Sequence, residues 1–415
     1  MNEPLLTAAR RAISAGFLGL GLFMGMWGVM VPLRSADLGL SELMISAFLL
    51  IIGLSLCAAI FLVTRVKALQ DDGQLIRFAG PVYAGGFTVC LVTGSLPVFF
   101  AAGVVTGLAA GFLDAGLNSQ SSQWEQKARK RSMSGFHALF SLGMLIGAGL
   151  VTLLLSGGHD PAVGIVGSAA VYGAYIITNR SWVSAEAGMK DDIQHGKPLR
   201  LSFAVILFLG ACISLSSLVE GGVIDWSALH LNRVLALPAE DAGRAVLFFS
   251  VAMTVARFMG DRLAAMIAPN LLLAVPLVIA GVLLTTAVVT AHVTMLVWAY
   301  IFIGLAVANA FPIIISEAGR AAGERPLREI SVIVGFAYFG LISGPALFGV
   351  LAHFMGLDAT VLGIAAIAFV LGVASLAMPR FVAGSGARVS VAACSSTRSQ
   401  LLLSSPGSSP KGASR

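Results

Sequence analysis

The sequence contains very little charge. Asp, Glu, Lys and Arg make up 11% of its 415 residues, whereas 57% are hydrophobic and the mean hydropathy is +0.92. A soluble domain carries about 25% charged residues, so this composition excludes a soluble fold. We therefore expect a membrane protein.

Cysteine is also scarce, and motifs of catalysis are missing. The four cysteines, Cys57, Cys90, Cys212 and Cys394, lie far apart, and the first three fall inside apolar blocks, so neither a disulfide framework nor a zinc site is indicated. The sequence contains no phosphate-binding P-loop and no His or carboxylate cluster with metal or catalytic spacing. These absences argue against an enzyme, a bound metal or cofactor, and ATP-driven transport by this chain alone.

The sequence consists mainly of long apolar blocks. Each is close to the roughly 20 residues that cross a bilayer as a helix. The first is too long for the apolar region of a signal peptide, so we interpret it as a span. The twelve predicted spans lie near residues 13–33, 43–63, 78–95, 97–118, 135–156, 160–178, 201–222, 245–260, 271–290, 294–316, 330–351 and 357–378.

The basic residues follow the alternate loops between these spans. With the N-terminus inside, 23 of the 26 Lys and Arg residues fall on the inner side, and Arg34, Arg233 and Arg244 on the outer side. Positive residues concentrate on the cytoplasmic side of membrane proteins, so both termini are predicted to be cytoplasmic. The net charge of +6 is thus explained by topology and not by nucleic-acid binding.

The polar stretches divide the chain into four parts. The longest polar interruption between spans, residues 179–200, separates six predicted spans from six. We therefore predict an N-terminal six-helix bundle at 1–178, a cytoplasmic linker at 179–200 and a C-terminal six-helix bundle at 201–380. Residues 381–415 are rich in Ser, Gly, Ala and Arg, a composition typical of a disordered tail.

The two halves repeat one another at an offset of 197 residues. The offset aligns Leu38-Gly39-Leu40 with Leu235-Ala236-Leu237, and Gly107-Leu108-Ala109 with Gly304-Leu305-Ala306. It predicts an all-α membrane protein built from two parallel six-helix repeats, with a substrate site between them near the bilayer midplane.

Over about residues 10–380 the sequence resembles the major facilitator superfamily. The segment Arg257-Phe258-Met259-Gly260-Asp261-Arg262-Leu263, after the eighth span, looks like the family's cytoplasmic motif. The resemblance implies that Gly260, Asp261 and Arg262 belong to a charge network that latches the inward gate, with Arg65 in the matching segment. That segment, Thr64-Arg65-Val66-Lys67, lacks the glycine and the aspartate, so the first-half latch is degenerate.

A narrower likeness is carried by three further segments. They are Gly111-Phe112-Leu113-Asp114-Ala115-Gly116-Leu117-Asn118 followed by Glu125, then Met133-Ser134-Gly135-Phe136-His137-Ala138, and Glu220-Gly221-Gly222-Val223-Ile224-Asp225-Trp226. They are similar to the branch related to fucose permease and the inner membrane protein YbjJ, which includes membrane proteins of rhizopine (inositol-amine) gene clusters. The resemblance implies a multi-pass transporter of the bacterial inner membrane and a sugar-like or cyclitol-like solute.

Three polar residues lie where the fourth and fifth spans approach the inner side. Asp114 and Asn118 share one helix face, and an aspartate inside a membrane is expensive unless it faces protein or water. His137 enters the fifth span at a similar depth, so the pair Asp114 and His137 is expected to meet and relay a proton. The alternatives are a structural hydrogen bond from Asp114, and a pair that only pins the two helices together.

Acidic residues also mark the seventh span. Glu220 precedes Gly221-Gly222, and a helix break there would bring Glu220 and Asp225 toward one cavity, with Trp226 stacking on a sugar-like ring. In a continuous helix the two acids would point about 140° apart. The alternative places Trp226 in the interfacial aromatic belt and leaves Asp225 solvated. Glu220 is the acid we expect to bind solute or couple protons.

Other candidates depend on the family likeness or on packing. The resemblance implies that the first, fourth, seventh and tenth helices line the cavity, which makes Trp27 and Asn309 candidates, although either could equally serve packing. Arg34 and Glu42 flank the first outer loop and are expected to be solvated. The membrane glycines, including Gly21, Gly25, Gly143 and Gly147, are expected to allow close helix packing.

Two functions remain in competition. The first is a secondary transporter, proton-coupled or facilitative, whose halves rock around a central site. The second is a membrane receptor or accessory protein that keeps the fold but moves nothing, and the degenerate first motif supports it. We expect a monomer with a small-molecule substrate, protons and membrane lipid as partners, and without nucleic acid, metal or cofactor.

Overall fold

The computed structural model describes residues 3–65, 71–128, 132–179, 181–182, 201–322 and 327–403, and all regular structure in these ranges is helical. The helices are α1 (Glu3–Leu38), α2 (Glu42–Arg65), α3 (Asp72–Val92), α4 (Leu96–Ala128), α5 (Met133–Ser156), α6 (Pro161–Thr178), α7 (Phe203–Arg233), α8 (Ala239–Ala242), α9 (Arg244–Met266), α10 (Pro269–Thr290), α11 (Val293–Ala322) and α12 (Leu327–Leu403).

Eleven helical segments in the described ranges are long and apolar enough to cross a membrane. One of them, Ala239–Gly260, joins the short α8 to α9. The last, Val332–Phe381, contains 50 residues. At 1.5 Å per residue a straight helix of this length would measure about 75 Å, more than twice the hydrocarbon thickness.

The helix α12 folds back on itself at Gly356. The backbone there has φ 85° and ψ 171°, outside the helical region and favourable to glycine. The Thr360 hydroxyl donates to the Phe348 carbonyl at 3.4 Å, whereas twelve residues of straight helix would separate them by about 18 Å. We call residues 327–355 the first arm of α12 and residues 357–403 the second arm.

The second arm continues beyond the predicted last span. Its backbone is helical to Leu403. The disordered tail expected from residue 381 onward stays a prediction. Residues 380–405 contain no proline, and a helix that extends an existing span needs no new nucleation. The remaining predicted tail, residues 404–415, and most of the predicted linker, at 180 and 183–200, lie outside the described residues.

The helices pack as two groups with an interface between them. In the first group α1 packs on α5, and α4 packs on α2 and α3; in the second α7 packs on α12, and α11 packs on α9 and α10. The groups meet through α2 with α12, α5 with α9, and α1 with α7. We call the end of the bundle that holds Thr178 and Phe203 the linker end, and the end that holds Leu38 and Arg233 the far end.

The 197-residue offset predicted from the sequence recurs in the hydrogen bonds at the far end. The Ser35 hydroxyl donates to the Leu40 carbonyl at 3.0 Å, and the Asn232 amide donates to the Leu237 carbonyl at 2.9 Å. Both the donors and the acceptors are 197 positions apart. The two halves therefore tie the end of their first helix to the following turn in the same way.

The same offset recurs where helices touch inside each half. Gly107 of α4 lies against the Ile52 carbonyl of α2, and Gly304 of α11 lies against the Phe249 carbonyl of α9. Ile52 and Phe249 are again 197 positions apart. The halves thus share internal packing as well as sequence.

Glycines bring α1 and α5 together at backbone distance. Gly21 and Gly25 of α1 lie against backbone carbonyls of α5, and Gly143 and Gly147 of α5 lie against backbone carbonyls of α1. A Cβ atom at any of the four positions would overlap the facing carbonyl. The predicted use of these glycines for close helix packing is confirmed.

Candidate functional site

Three residues in the middle of α7 are partly exposed between buried neighbours. Between Leu218 and His230 every residue is buried except Glu220, Gly221 and Asp225. Gly221 and Asp225 are four residues apart and share a helix face, whereas Glu220 points to a different side of the helix. Glu220 faces Arg257 of α9 and Asp225 binds Trp27 of α1, so both acids point toward neighbouring helices.

The helix break predicted at Gly221-Gly222 does not occur. The α-helix runs without interruption from Phe203 to Arg233. Gly222 is a packing position, where an added Cβ would lie 2.9 Å from side-chain atoms of Ile364 and Phe348. Glycine here allows both arms of α12 to approach α7, and the two acids remain about 140° apart around the helix.

Arg257 is a central residue that the sequence placed on the inner side. The segment 257–263 is helical, within the last turns of α9, instead of forming a loop. The Arg257 side chain is 15% exposed, and its guanidinium reaches α5, where it donates to the Ser141 hydroxyl and to the His137 carbonyl at 3.3 Å. An arginine inside the candidate span Ala239–Gly260 was the available signal.

The same guanidinium faces Glu220. Nη2 of Arg257 lies 3.7 Å from Oε1 of Glu220, and the Glu220 side chain is 25% exposed. A charge in the membrane interior is stabilised by such a partner. Arg257 therefore connects Glu220, the acid expected to bind solute or couple protons, to α5 of the first half.

Trp27 and Asp225 form a second contact between the halves. The Trp27 indole donates to Oδ1 of Asp225 at 3.1 Å, and the ring is only 2% exposed. Phe48 and Phe99 hold the indole, with ring centroids at 5.1 Å and 6.4 Å. The structure thus brings together two predicted site residues, and Trp27 orients the carboxylate of Asp225.

Asp114 makes a third contact between the halves. The Asn118 amide donates to Oδ1 of Asp114 at 3.0 Å, and the Tyr338 hydroxyl on the first arm of α12 donates to Oδ2 at 3.3 Å. Asp114 and Asn118 were expected to share a helix face, and the structure shows them hydrogen-bonded to each other. Tyr338 was missed because nothing in its local sequence indicates a partner 224 positions away.

The expected pair of Asp114 and His137 is not formed. Among the described side chains no hydrogen bond or ion pair joins them, because α4 packs on α2 and α3 while α5 packs on α1 and α9. The His137 ring instead lies 5.1 Å from the ring of Phe17. Similar depth along neighbouring spans did not place the two side chains together.

Trp226 and Asn309 occupy packing positions. Trp226 is fully buried, so it neither stacks on an open site nor lies in an interfacial belt. Asn309 is buried, donates to the Leu305 carbonyl at 3.3 Å and lies against Gly260. These contacts agree with the alternative that Asn309 serves helix packing.

The gating motif is described only in part. Gly260, Asp261 and Arg262 lie in α9, and the Arg262 side chain is exposed. The side chains of Arg65 and Asp261 lie outside the described residues. The implied charge network therefore stays a prediction.

Arg233 of α7 closes the far end against the first half. Its guanidinium pairs with Glu42 at 2.5 Å, donates to the Leu40 carbonyl at 2.9 Å and donates to the Ser35 hydroxyl. We call these four residues the far-end clasp. Glu42, which was expected to be solvated, is thus an ion-pair partner.

Arg34 was also expected to be solvated, but it is 5% exposed. It pairs with Asp37 at 3.0 Å and donates to the Thr93 carbonyl at the end of α3. The side chain turns back over the first half because Thr93 offers a free helix-terminal carbonyl there.

Comparison with known proteins gives one family. The family model described as Major Facilitator Superfamily matches residues 13–327. An uncharacterized MFS-type transporter from Yersinia pestis is 26% identical over 349 residues, which cover 82% of this chain and 88% of that protein. Membrane protein MosC from Rhizobium meliloti is 24% identical over 385 residues, covering 90% and 91%.

Solved structures share the fold at low sequence identity. A single-residue mutant of the nucleoside transporter NupG superposes with a TM-score of 0.66 at 14% identity, covering 89% of this chain and 99% of that one. A bacterial homolog of the human lysosomal transporter Spinster, inward-facing and unoccupied, has a TM-score of 0.60 at 14% identity, covering 93% and 98%.

Proposed function

The chain belongs to the Major Facilitator Superfamily, and from this premise we propose that it is a proton-coupled secondary transporter of a small polar solute. Membrane transport follows from the family. The solute class, the proton coupling and the alternating-access mechanism are the proposal. The observation that carries it is the position of Arg257, which faces Glu220 and also binds α5 of the other half.

Such a bridge suits a protein whose halves move against each other. When α5 and α9 separate, Arg257 loses the Ser141 hydroxyl and the His137 carbonyl, and Glu220 is the charged partner that remains. A solute hydroxyl or a proton bound to Glu220 would weaken its ion pair with Arg257. Charged residues retained in a membrane interior commonly mark such pathways.

We propose twelve crossings with both termini in the cytoplasm. The hairpin at Gly356 supports two crossings within the 50-residue segment Val332–Phe381, which raises the eleven candidates to twelve. The distribution of Lys and Arg supports the orientation. On this basis 1–178 and 201–380 are the two bundles, the linker end is cytoplasmic and the far end faces outward.

The far-end clasp supports a particular state of the transport cycle. Arg233, Glu42 and the Trp27–Asp225 contact join the halves toward the far end. The conformation is accordingly closed outward, with solute exchange toward the cytoplasm. We expect a monomer in a bacterial inner membrane, with lipid around its apolar outer faces.

The solute class is sugar-like or cyclitol-like. The candidate site contains several hydrogen-bond acceptors and donors on partly exposed side chains, those of Glu220, Asp225 and Arg257. Such a set suits a ring with many hydroxyl groups. The competing function is a receptor or accessory protein, which would bind a solute and release it on the same side.

Uptake into proteoliposomes distinguishes the two functions. A thermal-shift screen of sugars, cyclitols, amino sugars and nucleosides on the purified protein first identifies a ligand. That ligand is then offered, radiolabelled, to vesicles with and without an imposed pH gradient. A transporter accumulates it faster with the gradient, whereas binding without entry into the lumen would establish a receptor.

A further inference from the structure

Apart from the far-end clasp, the three inter-half contacts made by Arg257, by Trp27 with Asp225 and by Asp114 with Tyr338 contain more negative than positive charge. Three carboxylates, Asp114, Glu220 and Asp225, lie on α4 and α7, and one guanidinium, Arg257, lies on α9. Within the described part of the chain the ion pair of Glu220 is with Arg257, and neither Asp114 nor Asp225 has an ion-pair partner.

The single guanidinium is already engaged. Arg257 donates to the Ser141 hydroxyl and the His137 carbonyl and faces Glu220. A carboxylate or phosphate on a solute would have to displace these partners at Arg257, and at Asp225 it would meet a carboxylate that has no ion-pair partner among the described residues. An anionic solute is therefore disfavoured at this site.

Asp225 differs from Asp114 because one of its carboxylate oxygens accepts no hydrogen bond from a described residue. Both oxygens of Asp114 accept hydrogen bonds, from Asn118 and from Tyr338. In Asp225, Oδ1 accepts from Trp27, and no described residue donates to Oδ2, although the side chain is partly exposed. The indole fixes the carboxylate, so Oδ2 is held in place for a donor from outside the chain.

We propose that the solute of this transport site carries an ammonium group that binds Oδ2 of Asp225, and no net negative charge. This proposal depends on the proposed transport function and narrows its solute class. An ammonium group supplies up to three donors and the missing positive charge, which a neutral hydroxyl does not.

Three ligands that share one ring but differ in charge test the proposal. Glucosamine, glucose and glucuronate are titrated against the purified full-length protein, and binding is measured by calorimetry at neutral pH. We expect glucosamine to bind about tenfold more tightly than glucose, as for a charge-assisted hydrogen bond, and glucuronate to bind most weakly.

A matched pair of variants assigns the preference to its residue. Asp225→Asn keeps an oxygen to accept from Trp27 but removes the charge, so glucosamine should fall to the affinity of glucose. Asp241→Asn makes the same exchange at a surface pair with Arg244 and should leave the order unchanged.

Three results would overturn the proposal. They are glucuronate binding at least as well as glucose, no binding of glucosamine to the wild-type protein, and a preference for glucosamine that survives in Asp225→Asn. If Asp225→Asn does not fold, the order of the three binding affinities in the wild-type protein still tests the proposal. Uptake of a neutral or anionic solute would refute the proposal that the solute carries an ammonium group, but it would leave the transport function intact.

Discussion

Gly39 and Ala236, which lie 197 positions apart in the sequence, both hold a left-handed backbone, with φ of +63° and +53°. They occupy the same position in the turn that follows the first helix of each half. Glycine adopts this conformation freely, whereas an L-residue with a Cβ is strained by about 1–2 kcal/mol. One half of the protein has kept the favourable residue and the other has not.

This relationship predicts opposite effects of two exchanges. Ala236→Gly should raise the free energy of unfolding by about 0.5–1 kcal/mol, and Gly39→Ala should lower it by about 1–2 kcal/mol. No atom lies within 4 Å of a Cβ at Gly39, so the loss would come from the backbone alone. Reversible unfolding in mixed detergent micelles measures both, and effects of equal sign would contradict the shared turn.

The glycine contacts between α1 and α5 predict a second pair of outcomes. Gly147→Ala pushes a methyl group onto the Leu22 carbonyl and should cost about 1–3 kcal/mol. Gly167→Ala on α6, where nothing lies within 4 Å, should be neutral or gain up to about 1 kcal/mol from helix propensity. The same unfolding measurement compares them. Equal effects would show that α1 and α5 do not approach this closely in the membrane.

The far-end clasp predicts how easily the outer side opens. Glu42→Gln removes the charge that faces Arg233 and should raise the outward-open population about 1.4- to fivefold, since a partly exposed ion pair contributes about 0.2–1 kcal/mol. A reporter cysteine at Gly221, where a Cβ meets open space, is placed in a protein whose four native cysteines are alanine.

Labelling of that cysteine by a membrane-impermeant maleimide, added from outside to oriented vesicles, gives the readout. The rate should rise with Glu42→Gln and stay unchanged with Asp241→Asn, an exposed acid that pairs within its own half. A labelling rate that Glu42→Gln leaves unaltered would mean that Arg233 does not hold the outer side closed.

The sequence predicted the architecture well because that information is local or periodic. Apolar blocks of span length, the glycines of α1 and the 197-residue offset all recur in the structure, and the predicted family and branch are confirmed. The hairpin within α12 also falls between the two predicted last spans, at Gly356.

The site was only partly predictable, because partners depend on which helices touch. Glu220, Asp225 and Trp27 were identified as polar or aromatic residues in apolar spans, but their partners are 37, 198 and 198 positions away, as the numbers of Arg257, Trp27 and Asp225 show. Asp114 and His137 were expected to meet because their depths agree. Depth does not specify the helix face or the neighbour.

Arginines were the least predictable residues. Arg257 was placed on the inner side, and Arg34 was expected in solvent, yet both are largely buried. A long side chain can reach past its own helix end to a carbonyl or carboxylate on another helix, as Arg34 does at Thr93, 59 positions away. Charge counting along the chain assigns such residues to loops and misses their contacts.

The central claim is that solute movement is coupled to protons through Glu220 beside Arg257. Glu220→Gln keeps the size of the side chain and its ability to bind a polar solute but removes the titratable group. Exchange of solute between the two sides should therefore persist in the variant, while accumulation driven by a pH gradient should be lost. Asp241→Asn, which removes a carboxylate from the pair with Arg244 and leaves Glu220 unchanged, serves as the control.

Gradient-driven uptake by Glu220→Gln in proteoliposomes, compared with solute counterflow in the same vesicles, tests this claim most directly. We predict counterflow close to that of the wild-type protein and no stimulation by an imposed inward proton gradient. Stimulation equal to that of the wild-type protein would contradict the assignment of proton coupling to Glu220.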